Sequence, residues 1–375
     1  CIGPLSPSRN QTVVTTSADV VDSRDRDISL REAIFYAGGA NLETTVTFAP
    51  ELSGRTLTLD GTALFIDKEL TIDASSVGSL MGVNADAGGY RSIDVTELWF
   101  ELALLQERLI IRAGKIDLSG GFECAGCPVA FDCNAFANDE TAQFLAGPLV
   151  NNPTIPFPES GLGMAVYVQP TDWWYAAAGG ADAQADARKT GFSTAFDDEA
   201  YYVGLFETGV TPSLKTAGGP LQGAYRVGLW YDPQPKDRLD GNGTERDDLG
   251  LYTSMDQMLL RENEESDQGL GLFARFGWTN HELNAIKSFW STGLQYRGLV
   301  PSRDDDVAGF GVAQGRLSPE SGEFTRKHET IMETFYNVQV APWLSVAPHI
   351  QYVIHPGGAD ADDAMVAGVR VQVTF

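Results

Sequence analysis

The stretch Met365-Val-Ala-Gly-Val-Arg-Val-Gln-Val-Thr-Phe375 governs how the rest of this chain is read. Every second residue is apolar: Met365, Ala367, Val369, Val371, Val373 and Phe375. Gly368, Arg370, Gln372 and Thr374 fall between them. A strand sends successive side chains to opposite faces, so one face here is greasy and the other carries a charge, an amide and a hydroxyl. In a soluble barrel the greasy face turns inward. In an outer-membrane barrel it turns to lipid and the polar face lines a lumen. The strand runs to an aromatic at the last residue, where a soluble chain more often ends in a frayed polar tail. The competing reading of this segment, taken alone, is the edge strand of a soluble sandwich.

Working outward, the 375 residues are enough for one large barrel or two ordinary domains. No stretch approaches the roughly 20 apolar residues of a membrane helix, which leaves membrane strands open because they hide half their residues from lipid. The net charge of −25 argues against nucleic acid as a partner and against a basic lipid-binding patch. The acid concentrates in loop-like runs: Asp304-Asp-Asp306, Asp360 to Asp363, and Glu262 to Asp267. Solvated, mutually repelling loops explain these runs, and divalent-cation bridging to lipopolysaccharide is the sharper alternative.

The four cysteines are Cys1, Cys124, Cys127 and Cys133. The last three lie together with no histidine nearby, so a loop disulfide among Cys124, Cys127 and Cys133 fits better than a zinc site, with the pairing open. The chain opens on Cys1, which is either a lipidated residue or an arbitrary chain start. The four histidines, His281, His328, His349 and His355, stand in no metal-binding spacing, and no Gly-x-Ser-x-Gly occurs. No enzyme, metal or cofactor is expected.

Two regions differ in texture. From Ser76 onward, alternating segments recur between polar or Gly/Pro-rich breaks. They run from Val95 to Ala103, Arg108 to Lys115, Gly163 to Gln169, Trp173 to Gly179, Tyr201 to Glu207 and Gln222 to Asp232. Further segments run from Leu251 to Leu260, Leu270 to Trp278, Ile286 to Arg297, Val307 to Gly315, Glu329 to Ala341 and Trp343 to Ile354, followed by the terminal strand. That makes about thirteen, of membrane-strand length. The longest break, Asp117 to Gly161, reads as a loop that folds inward.

The faces are consistent from strand to strand. Arg226, Trp230 and Asp232 oppose Tyr225, Val227, Leu229 and Tyr231. Phe273 and Arg275 oppose Leu272, Ala274, Phe276 and Trp278. Glu329, Glu333, Asn337 and Gln339 oppose Met332, Tyr336, Val338 and Val340. One face is apolar with Tyr or Trp near its ends, as an interfacial girdle requires. The other carries Arg, Glu, Gln or Asn, as a water-filled lumen requires. The expected pore lining is Glu97, Trp99, Glu101, Arg112, Arg226, Trp230, Arg275, Glu333, Gln351 and Arg370, with Trp99 and Trp230 as stacking surfaces. For each of these, a structural charge ladder away from any constriction is the competing role.

Before Ser76 the texture changes. Ser29-Leu-Arg-Glu32 fits a helix capping box, and short Thr/Val/Leu runs follow. Ile28-Ser-Leu-Arg-Glu-Ala-Ile34, Val46-Thr-Phe-Ala-Pro50 and Leu70-Thr-Ile-Asp73 resemble the N-terminal cap of secreted right-handed β-helix proteins, over about residues 12–75. The further rungs that such a solenoid needs do not follow.

Residues from about 76 to 375 resemble the carbohydrate-selective porins of the OprB type. The matching stretches include Glu97-Leu-Trp-Phe-Glu101, Arg108-Leu-Ile-Ile-Arg-Ala-Gly-Lys-Ile-Asp117, Asn134-Ala-Phe-Ala-Asn-Asp139 and Val150-Asn-Asn-Pro153. Phe273-Ala-Arg-Phe-Gly277, Ala341-Pro-Trp-Leu-Ser345, His355-Pro-Gly-Gly358 and Gly368-Val-Arg370 extend the match. The resemblance implies an all-β, transmembrane antiparallel barrel of about sixteen strands in the outer membrane of a Gram-negative-type bacterium. It also implies passive diffusion of sugars past a constriction of Arg, Glu and aromatic residues, in a monomer or a homo-trimer. The family's first strands should precede Glu97, where the β-helix-like piece (residues 1–75) stands instead. Either residues 1–75 supply the missing strands or the chain is a fusion or fragment. A general or anion-preferring porin is the nearer alternative function, and a surface adhesin or secreted β-helix protein the farther one.

Overall fold

The computed structural model of the chain describes residues 78–85, 95, 97–119, 129–138, 144–158, 160–186, 189–197, 199–263 and 266–373, with short stretches at 13–16, 27–30, 33, 45–48 and 71–72. Near the front, β1 (Val13–Val14), β2 (Thr45–Phe48) and β3 (Thr71–Ile72) pair in parallel, Val13 against Thr47 and Thr45 against Thr71. Ser29 is buried, and its carbonyl accepts the N–H of Ala33, as the first turn of a helix would. Arg31, Glu32 and Ile34 of the capping segment lie outside the described residues.

The strands that follow are β4 (Leu98–Leu104), β5 (Leu109–Ile116), β6 (Gly161–Thr171), β7 (Trp174–Asp182), β8 (Tyr202–Val210), β9 (Ser213–Thr216) and β10 (Gly219–Asp232). After these come β11 (Lys236–Asp237), β12 (Thr244–Glu245), β13 (Asp248–Arg261), β14 (Gly269–Thr279), β15 (Ile286–Arg297) and β16 (Val307–Leu317). The last three are β17 (His328–Ala341), β18 (Leu344–Ile354) and β19 (Ala364–Val373). Fourteen of these form one sheet: β9 only extends β10, and the other thirteen lie in sequence order from β4 to β19. Each of the thirteen expected segments falls on one of those strands. Every neighbouring pair is antiparallel, as strands joined by short turns must be. The two small hairpins, β9 with β10 and β11 with β12, were not anticipated. Their Ser-Leu-Lys-Thr and Lys-Asp sequences are too short and polar to read as spans.

Connections alternate in length around the sheet. At one end the turns are tight: two residues join β6 to β7 and β17 to β18. At the other end the links are longer, above all residues 117–160 between β5 and β6. In bacterial barrels the short-turn end is periplasmic and the long-loop end extracellular.

The alternation read from the sequence holds in three dimensions. Along β10, Tyr225, Val227, Leu229 and Tyr231 are exposed on the outer face while Trp230 and Asp232 are buried within. Tyr202, Tyr231, Trp278 and Tyr352 stand outward at the long-loop end, and Trp173, Trp174 and Trp343 at the short-turn end. These two rows are the girdles that membrane interfaces favour. Among the described residues the sheet keeps two edges, β4 and β19, and β4 is exposed along its whole length on both faces.

The interior departs from a uniformly polar lining. It holds two apolar clusters. One joins Met81, Phe144, Leu149 and Val150 to Phe273, Phe289, Ile331 and Phe335 of the wall. The other joins Leu118, Phe131 and Ile155 to Val203, Leu205, Trp230 and Tyr252. Chain segments folded into the barrel therefore bury their own greasy side chains against the wall, which gives an outward-greasy protein a second, internal core.

Replacing the outward Val227 with Arg should cost about 2–4 kcal/mol if that position lies near the bilayer midplane. The fraction of unheated protein migrating as the compact barrel on a denaturing gel should fall accordingly. Leu214→Arg, on the β9 extension, should leave that fraction unchanged.

Candidate functional site

Three inward-facing carboxylates organise the lumen. Glu329 and Glu333 lie four residues apart on one face of β17, and Glu207 lies across the barrel on β8. All three are at most 1% exposed. A carboxylate removed from water needs several donors, and each of these finds them on a segment folded into the barrel. Glu329 accepts the Ser79 hydroxyl at 2.8 Å and the backbone N–H of Leu80 at 2.8 Å and Met81 at 3.0 Å. The N–H of Gly357 donates to it as well. Glu333 accepts the N–H of Leu145 at 2.8 Å and of Ala146 at 2.7 Å, with His349 Nδ1 at 2.6 Å. Glu207 accepts the N–H of Asp132 at 2.9 Å and the hydroxyls of Tyr175 at 2.6 Å and Tyr252 at 2.8 Å.

Arginine performs the complementary task for carbonyls. Arg275 of β14 donates to Leu149 O at 2.8 Å and Asp132 O at 3.1 Å, and its Nε stands 3.3 Å from Asp132 Oδ2. Burial pushes the Asp132 carboxyl from 3.8 up to about 6. Arg275 pulls against that shift and Glu207 adds to it. The inward segments are also tied to each other: Ala85 N–H donates to Leu145 O and Gly147 N–H to Gly82 O. Gln351 Nε2 holds Val83 O at 2.8 Å.

Glycines in the wall make room for these segments. A Cβ at Gly271 would sit 2.3 Å from the Phe136 ring, and one at Gly277 would sit 1.9 Å from Thr154 Oγ1. Bare backbone at these two points lets the loop lie directly on the sheet. The described residues of the loop from 117 to 160 thus fold inward as expected, and residues 78–85 join them.

The expected lining residues divide into three groups. Glu97, Trp99, Glu101 and Arg112 come together on β4 and β5. There Arg112 lies 4.1 Å over the Trp99 ring and 2.8 Å from Glu101, and Trp99 Nε1 donates to Glu97 at 3.0 Å. Trp99 remains 41% exposed. Arg226, Trp230 and Arg275 surround the inward loop instead. Arg226 is held by Asp256 at 2.8 Å, and Trp230, 1% exposed, is packed onto Gly250 beneath Lys236. Trp230 therefore offers no face to a solute: the side chain that would stack is instead part of the internal core. Glu333 and Gln351, paired across β17 and β18, anchor chain segments and are likewise covered, while Arg370 faces inward on β19 opposite Ala347. Cys133 is buried, and Cys1, Cys124 and Cys127 lie outside the described residues.

Glu207, Asp132 and Phe136 were not singled out in the sequence. Glu207 carried a weak signal, as an acidic residue in the otherwise apolar β8 run. Phe136 stood only within the family-matching stretch Asn134 to Asp139, and Asp132 carried none, because loop docking is decided by the wall opposite. The acidic runs also separate. Glu262–Asp267 and Asp304–Asp306 belong to the short-turn end and Asp360–Asp363 to the long-loop end. Burial works against ionisation of Asp306, yet bonds from Arg303, Tyr336 and the Gln339 N–H hold its carboxyl below the usual range. That residue ties a turn together.

Comparison with known proteins agrees with this architecture. Residues 52–375 match the family described as carbohydrate-selective porin, OprB family. Porin B of Pseudomonas aeruginosa is 23% identical over 80% of this chain and 72% of its own length. Porin AaxA of Chlamydia muridarum is 22% identical over 75% of this chain and 55% of its own. A solved structure of Pseudomonas putida OprB at high pH superposes with a TM-score of 0.60 at 21% identity, covering 75% of this chain and 73% of that one, and so shares the fold.

Removing one carboxylate should loosen one segment. Glu333→Ala leaves the N–H groups of Leu145 and Ala146 without their acceptor, a cost of about 1–3 kcal/mol. Faster amide exchange confined to residues 144–150, and a larger single-channel conductance, are the expected readouts. Asp132 sets a pH dependence. Its pKa is raised on folding, so the folded chain binds this proton more tightly than the unfolded one. Stability should therefore fall as pH rises from 3.8 to about 6. Asp132→Asn should flatten that part of the thermal-stability profile.

Proposed function

The chain belongs to the carbohydrate-selective porin family, OprB, and from that premise we propose that it lets sugars diffuse passively across the outer membrane through the water-filled part of its lumen. It is a porin and not an enzyme. The observation that carries the carbohydrate reading is the group on β4 and β5. An accessible indole, Trp99, stands beside the Arg112 guanidinium and the carboxylates of Glu97 and Glu101. A sugar is neutral, with apolar C–H faces and a belt of hydroxyls. The indole suits the first and the charged groups suit the second. Binding of this kind is weak and reversible, as flux demands.

The inward segments narrow the path, so that a solute passes close to the wall and exchanges its water for protein hydrogen bonds. Of the acidic runs, Asp360–Asp363 is the one on the long-loop side, where divalent ions bridging to lipopolysaccharide would be met. Residues 1–75 are read as a β-helix-like cap ahead of the barrel. The parallel pairing of β1, β2 and β3 supports that reading, since stacked rungs pair in parallel whereas barrel strands do not.

Single-channel recording tests the sugar reading. Added glucose should reduce the ion current in a saturable way. Trp99→Ala should raise the half-blocking concentration roughly five- to tenfold, about 1–1.4 kcal/mol. Ion current that glucose never reduces would make this a general or ion-preferring porin.

A further inference from the structure

At the short-turn end the lumen opens into a cavity of about 830 Å³. Resting on the carbohydrate reading above, we infer that this vestibule is a second saccharide subsite, built from carboxamides and one aromatic ring and chemically unlike the charged group at Trp99.

Three features of the lining select the ligand. The first is its polar groups. Gln222, Gln295, Gln339 and Gln372 line the cavity from β10, β15, β17 and β19, which are separate parts of the wall. A carboxamide both donates and accepts without carrying charge, which matches a hydroxyl that does the same. Gln339 is pre-set by its own bond: Nε2 donates to Ala341 O at 2.6 Å. Gln372 Oε1 has no hydrogen-bond partner among the described residues and is closed off in this rotamer, so a turn of the half-buried side chain would bring an unused acceptor to a ligand hydroxyl.

The second feature is Phe136. Its ring lies on Gly271 of β14 and is only partly buried, so the inward loop presents an aromatic surface to the cavity. Such a surface suits the C–H face of a pyranose. The third is charge. Arg261 and Arg297 also line the vestibule, but Asp267 holds the first at 3.1 Å and Asp305 the second at 2.8 Å. With both cations paired, nothing here favours an anion over a neutral polyol. The volume falls within the range of small-molecule pockets and accommodates a mono- or disaccharide.

Two weak sites in series fit the demands of passive flux. A permeant released from the group at Trp99 is received by amides before it leaves, and neither site holds it long.

The test is saturation-transfer NMR of glucose with the full chain in detergent micelles, run beside single-channel recording. Folding of each variant is checked by its unheated gel migration. Phe136→Leu and Gln372→Leu should each weaken glucose binding at least fivefold by NMR. Two folded variants that bind glucose like the original chain, while glucose still blocks the current, would overturn the vestibule subsite and leave the carbohydrate reading standing. An original chain showing neither saturation transfer nor block would overturn both.

Discussion

A carboxylate that faces the inside of a barrel must be hydrated or must be given donors by the protein. Glu207, Glu329 and Glu333 are given donors, and those donors are largely backbone N–H groups of segments that enter the lumen. This reciprocal satisfaction is the constraint on which the interior depends. Chain entering a barrel leaves behind the water that solvated its amides, so it stays there only where the wall replaces that water. Glu329 and Glu333 do this for two segments far apart in sequence, 79–81 and 145–146. Arg275 does it for the carbonyls of Asp132 and Leu149.

Once the backbone is satisfied, apolar packing follows. Phe144 sits against Phe273 and Phe335 with ring centroids 5.7 and 5.0 Å away, and Phe131 and Leu118 complete the second cluster. The lumen is thereby divided into filled and open parts. Part of it is filled, partly apolar and fixed by buried ion pairs, and the short-turn end opens into a cavity lined by amides, two Arg–Asp pairs and the Phe136 ring. A tube of uniform polarity would admit solutes by size alone, whereas a divided lumen brings each one against particular side chains.

Much of this was legible in the sequence, and the limits have physical causes. The alternation of residues such as Tyr225, Val227, Leu229 and Tyr231 with Arg226 and Trp230 placed β10 and its two faces, because a period of two is a local property of the strand. The same signal marked Trp230 as inward but did not distinguish inward and wet from inward and covered. Trp230 proved to be core and Trp99 accessible, although both are inward-facing tryptophans. The difference lies in residues from other parts of the chain: Gly250, Lys236 and the inward loop at one, and the sheet edge at the other.

The sequence by itself determined the class of this protein. An apolar/polar period of two, repeated thirteen times with aromatic ends, is compatible with lipid outside and water inside, and the motifs from Glu97 to Arg370 determined the family. Tertiary structure alone decided what the lumen does with its charges. Whether Glu333 lines a pore or anchors a loop depends on whether Leu145 and Ala146 reach it, more than 180 residues away along the chain. Strand periodicity reports the face to which a side chain belongs. Only the folded chain reports what has come to occupy the space in front of it.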